Sequence, residues 1–130
     1  MNIALIANEN KKTLMQNFCI AYKGILSQHS LFATGTTGQL IEAATNMPVS
    51  KFHSGHLGGV QQLGTEITEN YIDLVIFLRD VDAIMNPADI QMLVEACDLS
   101  NIPLATNLAT AEVLIKALGR GDLDWRAYYK

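Results

Sequence analysis

The chain has 130 residues, of which 49% are apolar and only 17% charged, against roughly 25% charged in a typical soluble domain. That composition excludes a disordered segment, and no uncharged apolar run approaches the roughly 18 residues that a membrane span needs. A net charge of −4 without any polybasic run argues against nucleic acid or an anionic membrane surface as partner, and leaves one globular domain over residues 1–130, expected to bury its surplus apolar surface by self-association.

In chain order, residues 3–7 form a five-residue apolar run with no basic start. That is too short for a signal-peptide core and reads as a first strand. Helical spacing follows through Leu14, Phe18, Tyr22 and Ile25, closing at His29, which is expected as a cation at the helix C-terminus. Short apolar runs recur at 31–33, 48–52, 74–78 and 102–105. Between and after them lie helical spacings through Leu40, Ile41 and Ala44; Leu63 and Ile67; Ile90, Leu93, Val94 and Cys97; and Val113, Leu114 and Ala117. Strands of 3–6 residues alternating with helices predict an α/β domain, a five-stranded parallel sheet with helices on both faces. Cys19 and Cys97 stand far apart, with no CxxC partner or nearby His. They are expected as buried, reduced thiols, which suits a cytoplasmic protein.

In such a sheet, ligands bind outside the carboxyl ends of the strands, so the residues after each run carry the chemistry. The strongest motif is Ala33-Thr34-Gly35-Thr36-Thr37-Gly38, passing from strand to helix. Its glycines permit a tight turn, and its hydroxyls and free N–H groups converge on an anion. It lacks the GK[ST] of a P-loop and the spacing of a dinucleotide fingerprint, which leaves phosphate binding, or simple capping by Thr36 or Thr37. Ser54-Gly55-His56-Leu57-Gly58-Gly59 is a second glycine-rich loop before a helix. It either closes over a ligand or merely turns. Lys11 and Lys12 lie near a helix start, where a cation is unfavourable unless an anion is close. Glu9, Asp80, Asp82 and Asp89 could serve as base, metal ligand or cap.

These blocks resemble the methylglyoxal synthase family, almost over the whole chain. The resemblance rests on Ile3-Ala4-Leu5-Ile6-Ala7 with Lys12, and on Leu31-Phe32 with the threonine-glycine motif. It continues in Ser54-Gly55-His56-Leu57-Gly58-Gly59-Val60-Gln61-Gln62, Asp73-Leu74-Val75-Ile76-Phe77-Leu78-Arg79-Asp80 and Ile102-Pro103-Leu104-Ala105-Thr106-Asn107. It implies a homohexamer that converts dihydroxyacetone phosphate to methylglyoxal and phosphate without metal or organic cofactor. The family's phosphate contacts map onto Lys12, Thr34, Thr36, Thr37, Ser54 and Gly55, all retained.

The acid–base set differs. The family's base, an Asp before Gln-Gln, is here Val60, and its His before Pro-Asp aligns with Asn86. The family's His-Asp after the first strand is Asn8-Glu9, and a loop proline is His56. Asp80 and Asp89 match unchanged. Valine accepts no proton, and loss of a general base typically costs about 10²–10⁴ in rate. Two classes of function therefore stand open. One is an enzyme of this family working with a substituted base, for which Glu9 and His56 are candidates. The other is a non-catalytic phosphate-binding or sensing protein on the same fold.

Overall fold

All five apolar runs become strands, and all pair in parallel. β1 (Asn2–Ala7), β2 (Ser30–Thr34), β3 (Val49–Phe52), β4 (Leu74–Leu78) and β5 (Leu104–Ala105) lie in the order β3-β2-β1-β4-β5. The computed structural model describes residues 1–52, 59–83 and 87–129, the side chains of Pro87 and Ala88 excepted. β4 takes its predicted bounds. The outer strands are shorter, beginning just after Pro48 and Pro103, residues that have no N–H to give a sheet ladder.

The central strands are apolar throughout because both faces are covered. Their alternation sorts residues into two cores. Ile3, Leu5, Leu74 and Ile76 pack with α1 (Lys12–Ala21), α2 (Lys23–Leu26), α3 (Gly35–Thr45) and α6 (Leu108–Gly119) through residues such as Met15, Leu26, Ile41 and Ile115. Ala4, Ile6, Val75 and Phe77 face α4 (Gly59–Thr68) and α5 (Pro87–Ser100) through Val60, Leu63, Ile67 and Leu93. Each fully buried Val, Leu, Ile, Met or Phe among them contributes about 1.5–3 kcal/mol of transfer free energy.

Two helical readings differ from expectation. The first helix divides at Tyr22, which leaves αR geometry (φ −109°, ψ 22°), while its N–H still donates to Phe18 O at 3.0 Å. The result is a kink before the short, glycine-containing α2, and His29 falls beyond it in a turn. In α6 the buried face is Ala111, Ile115 and Leu118, whereas Val113 is 66% exposed. That helix is apolar nearly all round (Leu108-Ala109-Thr110-Ala111-Glu112-Val113-Leu114-Ile115), so spacing alone leaves its inward face undetermined.

The strand-entry edge is closed by a buried ion pair. Arg126, in the 3₁₀ turn Asp124–Tyr128, donates from Nε to Asp73 Oδ1 at 3.2 Å, and both side chains are 2% exposed. Its other nitrogens donate to Asn101 O at 2.9 Å and Asn70 Oδ1 at 2.6 Å. Asp73 Oδ2 accepts from Asn2 N–H at 2.8 Å, at the start of β1. Charge, backbone and C-terminal turn are thereby tied at one end of the sheet, leaving the strand-exit end for ligands.

Candidate functional site

At the exit edge the chain from β1 goes to β2 on one side, while β4 lies on the other. The order of strands reverses here, and in open α/β sheets such a crevice is the usual binding place. Asn8 spans it. Its N–H donates to Leu78 O at 3.2 Å, and its Oδ1 accepts from Asp80 N–H at 2.8 Å. Asp80 in turn accepts from Asp82 N–H at 3.0 Å, an Asx turn that fixes one carboxylate oxygen.

On the neighbouring strand, α3 starts directly after β2. Thr34 occupies its N-cap in extended geometry, and its side chain makes no cap bond. Thr36 and Thr37, the residues expected as caps, instead lie within the first turn of α3, so neither is its N-cap. Thr34 and Thr37 are buried, Thr37 to 1% exposure, while Thr36 is exposed. Thr37 Oγ1 is fully buried without any hydrogen-bond partner among the described residues. Gly38 matters for close approach: a Cβ there would stand 2.8 Å from Lys51 Cγ. Lys51 also pairs with Glu42 across the α3–β3 contact.

Lys12 opens α1, one 3₁₀ turn (Glu9–Lys11) past β1. A cation at that helix start opposes the dipole, and the structure supplies the counter-charge within the chain. Lys12 Nζ donates to Glu9 Oε2 at 2.6 Å, with the lysine side chain 16% exposed and the glutamate 88%. Glu9, one candidate substitute base, is therefore held in an ion pair at the surface.

Val60 is 5% exposed and belongs to the apolar core beneath α4 and α5. Position 60 thus presents methyl groups to a core. Beside it Gln61 Nε2 donates to Asp89 Oδ1 at 3.0 Å, joining the first turns of α4 and α5. An acid in a helix's first turn is favoured by the dipole. Gln61 was not singled out as a site residue from sequence, although its place in the turn after the glycine-rich loop was the available signal. Ser54, Gly55, His56 and Asn86 lie outside the described residues.

Remaining candidates fall away from this edge. His29 precedes β2 at the entry edge, its Nδ1 3.0 Å from the Met1 nitrogen. Burial, then the N-terminal ammonium, lowers its pKa, against weaker opposing pulls from Asp124 and Asp73. The expected helix-end cation is therefore corrected to a ring biased toward neutrality. Cys19 and Cys97 are free and buried. Burial pushes their thiols up to about 12 and about 11, with Asp98 adding to the second, which makes them poor nucleophiles. Among the described residues, no group of three or more His, Cys, Asp or Glu is placed to hold a metal ion, and no helix is long and apolar enough to cross a membrane.

Comparison with known proteins places these features in one family. Residues 15–106 match the model of the MGS-like domain. The chain is 61% identical to the methylglyoxal synthase of Caldicellulosiruptor saccharolyticus over 127 residues, 97% of this chain and 90% of that one. It is 58% identical to that of Alkaliphilus metalliredigens over 131 residues, 100% of this chain and 98% of the relative. The crystal structure of methylglyoxal synthase from Elizabethkingia anophelis superposes with a TM-score of 0.79 at 38% identity, covering 88% of this chain and 76% of that one. With the expected sheet and the threonine-glycine helix start in place, this chain belongs to the methylglyoxal synthase family.

Proposed function

We propose that this chain binds dihydroxyacetone phosphate by its phosphate, at the start of α3 and Lys12, and converts it to methylglyoxal and phosphate at a rate limited by position 60. One observation carries the binding half: Thr37 Oγ1, at a helix N-terminus, is buried and has no hydrogen-bond partner among the described residues. Such a group costs about 1–3 kcal/mol unless something accepts its hydrogen, and a phosphate oxygen there would do so while also meeting the helix dipole.

The reaction implied by the relatives begins with removal of a proton from the hydroxymethyl carbon beside the carbonyl. The resulting enediolate expels phosphate as the C–O bond breaks, its electron pair leaving with the phosphate, and the enol product rearranges to methylglyoxal. Asp80 and Asp89 are the family's acidic positions retained here, and each already accepts one hydrogen bond. With Val60 in place of a base, turnover should run about 10²–10⁴ below that of a proficient acid–base set. An Asp at 60 would be desolvated by the same core, raising its pKa toward the range where a general base works.

The second reading, a phosphometabolite-binding protein without turnover, is favoured by one observation: Val60 packs into the α4–α5 core. Purified protein with dihydroxyacetone phosphate separates the two. Slow, saturable methylglyoxal release that Val60→Asp accelerates at least about tenfold supports the enzyme. Phosphate binding with no methylglyoxal from either protein supports the sensor. Absence of both sinks the site.

We propose further that the chain is cytoplasmic, in keeping with its reduced thiols, and assembles as a homohexamer. The exposed Leu99, Val113, Tyr128 and Tyr129 supply apolar surface for such contacts, and light scattering after gel filtration gives the mass directly.

A further inference from the structure

We propose that Glu9 regulates this site by competing for Lys12, so that any anion bound there must first displace a carboxylate; this rests on the phosphate reading of the α3 cradle. The pair follows from local backbone geometry. Glu9–Lys11 is a 3₁₀ turn leading straight into α1, and in 3₁₀ geometry side chains at i and i+3 stand over one another. Glu9 and Lys12 are such a pair, and their charged atoms meet at 2.6 Å. The two ends of the bridge differ in environment. Lys12 is largely enclosed at 16% exposure, on the strand end beside the one that feeds α3, whereas Glu9 lies on the surface at 88%. The enclosed ammonium belongs to α1, which packs against α3, while the exposed carboxylate is free to swing into water. Ligand entry thus means exchanging one acceptor on Lys12 for another, with no rearrangement of the fold.

The effect has a bounded size. An exposed ion pair favours its closed arrangement by about 1.4- to 5-fold, and apparent affinity is reduced by the fraction of molecules that are open. Removing the carboxylate's charge should therefore tighten anion binding by about two- to sixfold. Inorganic phosphate is the probe, titrated calorimetrically at fixed ionic strength into the wild type, Glu9→Gln, Lys12→Met and the double variant. The expected result is tighter binding in Glu9→Gln, weaker binding in Lys12→Met, and a double variant no better than Lys12→Met, because the gain acts through the ammonium. Phosphate binding that Glu9→Gln leaves unchanged or weakens overturns the proposal and leaves the cradle standing. So does an equal gain on the Lys12→Met background, since that would be direct repulsion of the ligand. If none of the four proteins binds phosphate, the cradle reading itself fails. Glu9 is exposed and hydrogen-bonds no core group among the described residues, so Glu9→Gln tests binding rather than folding.

Discussion

A buried hydroxyl without an acceptor costs a fold about 1–3 kcal/mol, and Thr37 Oγ1 has no partner among the described residues. Thr37→Val keeps the shape and removes the unpaired oxygen, so thermal unfolding should show a melting temperature equal to or above the wild type's. The same change should weaken inorganic phosphate binding by about tenfold or more, since hydrogen bonds to charged groups are worth about 1.5–3 kcal/mol. A loss of stability without loss of phosphate affinity would reverse the assignment. Val60 poses the opposite problem. At 5% exposure in an apolar cluster, Val60→Asp buries a carboxyl with no partner provided. Its melting temperature should fall even where its turnover rises, so activity must be read well below the melting point. Residues of this kind show where sequence reasoning stops. The threonine-glycine motif suggests an anion site, yet the burial of Thr37 Oγ1 without a partner among the described residues is set by tertiary packing and carries no sequence signal.

At the scale of elements, Asn8 and Gln61 act as couplers. Asn8 joins the ends of β1 and β4, and Gln61 joins the first turns of α4 and α5. Asn8→Ala leaves the Asp80 N–H without its acceptor, which should cost about 1–3 kcal/mol to the extent that the amide stays dry. Hydrogen exchange at the Asp80 amide should speed markedly, while amides in mid-β4 keep their protection; unchanged exchange at Asp80 would refute the coupling. The strands were legible because each is short, apolar and bounded by turn residues, and the 74–78 run became β4 without adjustment. Helix faces were less so. α6 is apolar on several sides, and only the presence of the sheet decides that Ile115 turns in and Val113 out. The division of the first helix at Tyr22 was likewise hidden, since its hydrophobic spacing runs unbroken from Leu14 to Ile25. Cross-chain couplers carry no periodic signal at all: Gln61 and Asp89 are 28 positions apart.

For the whole molecule, the two sheet edges have different tasks. Arg126→Met removes the guanidinium from a buried ion pair with Asp73, and breaking such a pair costs about 3–5 kcal/mol. Urea unfolding should show that loss, with phosphate affinity unchanged in the protein that remains folded. His29 gives the same edge a pH response. Its folded pKa lies below the unfolded value of 6.5, so the unfolded chain binds the proton more readily. The neutral ring's contribution is complete above about pH 6.5 and is lost as pH falls from there toward the folded pKa. Stability measured by urea unfolding should therefore drop in the wild type as pH falls below about 6.5, and His29→Asn should flatten that part of the profile. The Arg126–Asp73 latch anchors the fold at the end remote from the phosphate cradle, so the sheet's entry end is held by groups that take no part in ligand binding. With Val at position 60 buried in the core, the chain still forms the five-stranded sheet expected of it. Foldedness in this protein is therefore no proxy for turnover, and a screen that scores soluble expression would pass catalytically silent and proficient versions alike.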